Sequence, residues 1–160
     1  MKKGLMIGLM GAMTLVACNQ EKEKVEDQFN YTVEQFADLQ LLRFKVHGFE
    51  ELPLKQKELV YYLSEAALQG RDILFDQNGK YNLIIRKMLE VVYTDYQGDR
   101  SDANFKNFET YLKRVWFSNG IHHHYAADKF VPGFTPEFFK SALESVDASK
   151  LPLMEGETLD

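Results

Sequence analysis

Apolar residues recur at intervals of three and four in five separate stretches between residues 32 and 146, and this spacing constrains the fold more than any other feature. Phe36, Leu39, Leu42 and Val46 follow the capping-box spacing Thr32-Val33-Glu34-Gln35, which predicts a first helix. Leu59, Leu63, Ala66, Gly70 and Ile73 predict a second across Lys55 to Phe75, with Pro53 near its start. Asn78-Gly79 supplies a turn, with glycine able to take positive φ. Ile84, Ile85, Met88, Leu89 and Val92 then mark a third helix. Ser101 or Asp102 can cap a fourth, which carries Phe105, Phe108, Leu112, Val115 and Trp116 on one face. Thr135-Pro136 reads as an N-cap followed by proline at the first helical position, opening a fifth with Phe138, Phe139, Ala142, Leu143 and Val146. The expected fold class is mainly α, with an irregular or briefly extended segment around 118–134.

The first eighteen residues carry a different message. Met1-Lys2-Lys3 is a basic start, and residues 4–16 are apolar and uncharged. A basic region, a short apolar region and small residues before a cleavage point make a secretory signal, too short to span a bilayer. Its ending, Leu15-Val16-Ala17-Cys18, resembles the lipobox of bacterial lipoproteins. That resemblance implies cleavage before Cys18, lipid on its thiol and new amino group, and attachment to a membrane of the bacterial cell envelope. Two or more acyl chains make a stable anchor. The alternative is a plain secreted protein with an incidental cysteine. Residues 19–28 (NQEKEKVEDQ) are polar and charged and read as an acidic tether. Acidic residues in that place also resemble surface-export signals of some Gram-negative lipoproteins; a solvated tether has the same composition.

The expected organisation is therefore a signal at 1–17, a tether at 18–28, a helical domain at 29–147 and a connection or tail at 148–160. The chain from Cys18 to Asp160 has 143 residues, enough for one domain with a real core. It carries 17 basic and 24 acidic side chains, a formal charge of −7, which makes it a poor candidate for nucleic acid. Cys18 is the one cysteine, which rules out an internal disulfide, a cysteine-based zinc site and a thiolate catalyst. Twelve Phe, eight Tyr and one Trp suit a packed helical core or an interface rather than disorder.

One dense polar cluster stands out: Asn119-Gly120-Ile121-His122-His123-His124-Tyr125, followed by Asp128 and Lys129. In an extended segment His122 and His124 would face one side and His123 the other. His122, His124 and Asp128 are acceptable metal-ligand types, but the spacing is not diagnostic. The imidazoles can equally bond to backbone and nearby carboxylates, or contact a ligand. Arg71 is expected to pair with Asp76 or with exposed helix-end carbonyls. None of the four histidines is followed by glutamate, so HExxH and HExxGH are absent, as are a phosphate-cradling glycine loop and a G-x-S-x-G elbow.

The order of segments resembles the amino-terminal part of bacterial dipeptidyl peptidase III proteins. The resemblance runs through Gly70-Arg71-Asp72-Ile73, Asp76-Gln77-Asn78, Tyr81-Asn82-Leu83 and Ile85-Arg86. It continues through residues 115–125 (VWFSNGIHHHY) and Asp128-Lys129-Phe130-Val131-Pro132. It spans about Phe36 to Leu143, and the Asn-Gly to Val-Pro portion is the most specific part. It implies a two-lobed zinc peptidase that removes dipeptides from the amino termini of oligopeptides. Zinc on an HExxGH helix activates water there, and the motif glutamate serves as general base. Those catalytic residues lie beyond the matched region, so no catalytic residue and no metal ligand is assigned in this chain. Asn119, Gly120, His122, His123, His124 and Tyr125 match a loop that the resemblance places at the interlobe cleft, where it would contact peptide substrate or set the lobe hinge. The expectation is a helical scaffold and cleft-wall portion of such an enzyme, inactive alone and truncated within the chain's last residues. The rival expectation is a free-standing helical envelope lipoprotein that binds a protein or peptide.

The lipobox reading makes a direct prediction. Chain expressed in a bacterial host should fractionate with membranes and carry acyl mass at Cys18; Cys18→Ser should abolish both. Membrane fractionation and intact-mass measurement decide it, and an unmodified Cys18 in the mature chain removes the anchor.

Overall fold

The computed structural model describes residues 29–153 and residue 156. The signal, Cys18 and the tether at 18–28 lie outside the described residues. Two strands, β1 (Thr32–Phe36) and β2 (Leu39–Leu42), are followed by five α-helices: α1 (Leu54–Gln69), α2 (Arg71–Asn78), α3 (Asn82–Asp95), α4 (Ala103–Ser118) and α5 (Pro136–Glu144). Single 3-10 turns stand at Phe49–Glu51 and Ala148–Lys150. The fold is mainly α.

The core forms around α4. Asp102 caps this helix by accepting the Asn104 N–H at 2.8 Å, so the sequence reading of a cap at Ser101 or Asp102 resolves to Asp102. Phe105, Phe108, Leu112 and Val115 fall on one face at intervals of three and four, and all four are buried. Phe75 from α2, Leu89 and Val92 from α3, and Ala142 from α5 complete the buried cluster. Phe108 is fully buried, with the rings of Phe105, Phe134, Phe138 and Phe139 at centroid distances of 5.6–6.4 Å. The fifth helix opens as its sequence specifies: the Thr135 hydroxyl accepts the Phe138 N–H at 3.1 Å, and Pro136 occupies the first turn.

The first expected helix is not formed. Residues 32–42 make an antiparallel hairpin instead, with Phe36 paired to Leu39 across a two-residue turn and Ala37 at φ 50°. The true period there is two: Glu34 and Phe36 on β1, and Leu39 and Leu41 on β2, are half-buried, while their neighbours face solvent. The threefold spacing of Phe36, Leu39 and Leu42 was a coincidence of hairpin register. Two ion pairs tie the hairpin to α4: Lys113 Nζ donates to Glu34 at 2.6 Å, and Arg114 pairs with Asp38 in the turn.

The second expected helix is two. It breaks at Gly70, the residue whose backbone entropy makes helix least favourable after proline. Its expected core stripe is also not core. None of the α1 residues is buried, and Leu59, Leu63 and Ile73 are all exposed. At the other end, residues 148–153 dock against the helices. Leu151 is buried, and Lys150 Nζ meets Asp95 of α3 at 2.6 Å.

A polar network ties α2 to α3. Arg71 makes no ion pair among the described residues, contrary to expectation; Asp72 carries the pairing. Arg86, largely buried, donates to Asp72 at 2.8 Å and lies 4.7 Å from the Phe75 ring centroid. Glu90 approaches Arg86 Nε at 3.3 Å, outside hydrogen-bond geometry, while accepting Trp116 Nε1–H at 2.8 Å. The hydrogen bond from Arg86, with help from Lys87, holds the Asp72 carboxyl below its ordinary value.

Two outcomes follow. Phe108→Ala should cost about 3–5 kcal/mol, because it removes a fully buried ring and leaves a cavity among four others; urea unfolding measures it, and a loss under 1 kcal/mol would contradict this core. Asp72 has a lowered folded pKa, so its stabilisation is complete above the unfolded value near pH 4 and disappears as pH falls through the folded value. Thermal midpoints recorded from pH 5 down to pH 2 should decline less steeply in Asp72→Asn than in the parent.

Candidate functional site

Three helix ends meet at one end of the core. α2 ends at Asn78, α3 begins at Asn82, and α4 ends at Ser118. Asn119 stops α4 in the left-handed conformation, φ 51° and ψ 39°, which asparagine tolerates better than most residues. The N–H groups of Asn119 and Gly120 both reach the Val115 carbonyl, Gly120 at 3.1 Å. Asn78 Nδ2 donates to the Asn119 carbonyl at 3.2 Å, and Asn82 Oδ1 accepts the Ile121 N–H at 3.3 Å.

Gly120 has two reasons to be glycine. Its φ is +155°, and a Cβ there would lie 2.3 Å from Asn82 Nδ2. Gly79 presses on the same amide from the other side, where a Cβ would lie 2.9 Å away. Its φ of 167° is ordinary extended backbone, so close approach, not positive φ, is what it supplies. Asn82 is thus wedged between two glycines and is only 2% exposed.

Beyond Gly120 the chain makes a small hairpin. Phe130 N–H donates to Ile121 and His123 N–H to Asp128, each at 2.8 Å, with His122 and Lys129 bridged antiparallel. The chain then turns: Ala126 N–H reaches the His123 carbonyl at 3.1 Å, and Tyr125 N–H reaches His123 Nδ1 at 3.2 Å. This turn overrides simple alternation. His123 does not face away from its neighbours; it stacks on His124 with centroids 4.3 Å apart and planes at 27°. The edge of His124 meets Phe117 at 5.0 Å.

The result is a pocket of about 360 Å³, lined by Asn78, Asn82, Ser118, Asn119, Gly120, all three imidazoles, Ala126 and Ala127. Five of the six residues singled out from sequence meet here: Asn119, Gly120, His122, His123 and His124. Tyr125 does not line it; its ring packs on His124 and is 89% exposed. Sequence reading missed Asn78, Asn82 and Ser118 as lining residues. A usable signal existed for Asn82, since asparagine is a poor helix former yet stands at the start of an apolar helix, three residues after the Asn78-Gly79 turn. Three buried polar atoms in this wall have no hydrogen-bond partner: Asn82 Nδ2, Ser118 Oγ and His124 Nδ1.

A zinc ion does not fit this arrangement. Among the described residues no group of three His, Cys, Asp or Glu side chains could hold a metal. Asp128 contributes its backbone carbonyl to His123, and His123 Nδ1 is taken by the Tyr125 N–H. No described helix is long and apolar enough to cross a membrane. The chain matches no protein-family model, and no curated protein sequence matches it.

Gly120→Ala should destabilise the protein by about 2 kcal/mol or more, through backbone strain and collision with the wedged Asn82 amide. Chemical denaturation checks this; unchanged stability would mean the α4 end and Asn82 are not locked together.

Proposed function

We propose that this chain is the lipid-anchored, helical scaffold and cleft-wall portion of a zinc-dependent dipeptidyl peptidase of the dipeptidyl peptidase III type, located in the bacterial cell envelope. It contributes a peptide-facing wall and no zinc ligand, and it is inactive alone. The observation that carries this reading is where residues 119–124 lie. The most specific stretch of the resemblance forms the rim of a polar pocket whose wall holds three unpartnered buried atoms. Buried polar groups without partners each cost about 1–3 kcal/mol, so such a cluster is expected where a ligand or a further part of the protein supplies the missing bonds.

The exposed apolar surface of α1 supports the same reading. Leu54 is 71% and Tyr62 68% exposed, and apolar residues occur on every side of this helix. Exposed apolar surface of this extent marks an interaction site. In the proposed role, further helices of the peptidase lobe cover it. The same surface also suits the second reading, an envelope lipoprotein that docks a protein partner.

Two measurements test the proposal. The nucleotide sequence beyond codon 160 should continue in frame into an HExxGH helix; a stop codon there removes the peptidase reading in favour of the binding module. The purified 160-residue chain, supplied with zinc, should release no arylamine from dipeptidyl-arylamide substrates. Turnover above the buffer blank would overturn the assigned inactivity.

A further inference from the structure

The pocket at the α4 end has a chemical bias that narrows what it can hold. Its lining contains no Asp or Glu and no Lys or Arg, so the ammonium of a peptide amino terminus finds no counter-charge there and a carboxylate would be held by hydrogen bonds alone. Hydrogen-bond donors are available. Asn82 Nδ2 is a donor only, and Ser118 carries a hydroxyl; neither has a partner. His123 Nδ1 accepts the Tyr125 N–H, which leaves the proton of the neutral ring on Nε2 as a further donor. The side-chain amide of Asn119 makes no hydrogen bond among the described residues.

The helix ends at the pocket are of mixed sign. Asn82 is the first residue of α3, so the positive end of that dipole lies at the pocket. The carboxyl ends of α2 and α4 lie there too and oppose an anion, an effect reduced where their carbonyls are engaged. Val115 receives two N–H groups, and the Asn119 carbonyl takes the Asn78 amide. At about 360 Å³ the space suits one small group rather than a whole oligopeptide.

We propose that this pocket binds a carboxylate, presented by the carboxy-terminal end of a short peptide, through Ser118 and the surrounding amide and imidazole donors. The proposal rests on the reading of this wall as peptide-facing. It deepens that reading by assigning the acidic end of the peptide, not its amino end, to this place.

The test is a titration of the full chain, followed by NMR at the His122, His123, His124 and Asn82 side chains. The probes are dialanine, N-acetyl-dialanine, dialanine amide and acetate. Dialanine and N-acetyl-dialanine should bind equally, and dialanine amide about tenfold more weakly or worse, because charge-assisted hydrogen bonds are lost. Ser118→Ala should weaken dialanine binding about fivefold without lowering the thermal midpoint, since it deletes a buried hydroxyl that has no partner. Equal affinity for acid and amide would overturn the carboxylate assignment while leaving the peptide wall standing. Acetate binding as tightly as dialanine would keep the carboxylate site but assign it to free small acids and remove the peptide. Silence from every probe would remove both.

Discussion

Burial of one stripe on α4 organises this protein. Phe105, Phe108, Leu112 and Val115 leave water together, each worth about 1.5–3 kcal/mol of apolar transfer. The other helices of the core add residues to the same buried cluster: Phe75 from α2, Leu89 and Val92 from α3, Ala142 from α5. The pocket is a consequence of this packing. Fixing α2, α3 and α4 against a common stripe brings the end of α2, the start of α3 and the end of α4 to one place. The polar residues that terminate those helices then face each other across it.

The amino-terminal elements attach differently. The hairpin is held to α4 by Lys113 with Glu34 and Arg114 with Asp38, pairs in which three of the four side chains are at least a quarter exposed. Such pairs are worth about 0–1 kcal/mol each. α1 contributes no buried residue at all. The molecule therefore has a stiff half, built on aromatic burial, and a half whose apolar surface is still exposed. The exposed apolar residues of the second half include Phe44, Val46, Leu54 and Tyr62.

The elements legible in the sequence are those whose local and tertiary demands agree. α4 has a cap, a 3.6-residue period and a core that wants that face; α5 has Thr135-Pro136 and the same agreement. The hairpin was illegible because its turn carries Ala37-Asp38 rather than Asn-Gly, and its two-residue period hides inside a sequence that also fits three and four. Its pairing to Lys113 and Arg114 spans more than seventy residues, which no local window contains. The α1 stripe was legible as helix but not as surface, because periodicity reports which residues would be buried together, not whether anything is present to bury them. The polar cluster was read from its residue types. Its geometry was not, because the turn after His122 depends on a hydrogen bond from backbone to the His123 ring.

The unpartnered atoms and the exposed helix are two forms of the same condition. Asn82 Nδ2, Ser118 Oγ and His124 Nδ1 together represent several kcal/mol of desolvation without return, a large fraction of the 5–15 kcal/mol by which a domain is ordinarily stable. A sequence that packs Phe108 among four rings and caps α4 and α5 correctly is well suited to its core, so these departures are not general poor fit. Three of the four unpartnered atoms among the described residues line one pocket, and the fourth, Arg86 Nε, lies in the network between α2 and α3. The wedge of Asn82 between Gly79 and Gly120 makes the point at atomic scale: alanine at 79 or 120 would collide with that amide, so the two glycines hold room for a polar side chain that the described residues leave half-satisfied.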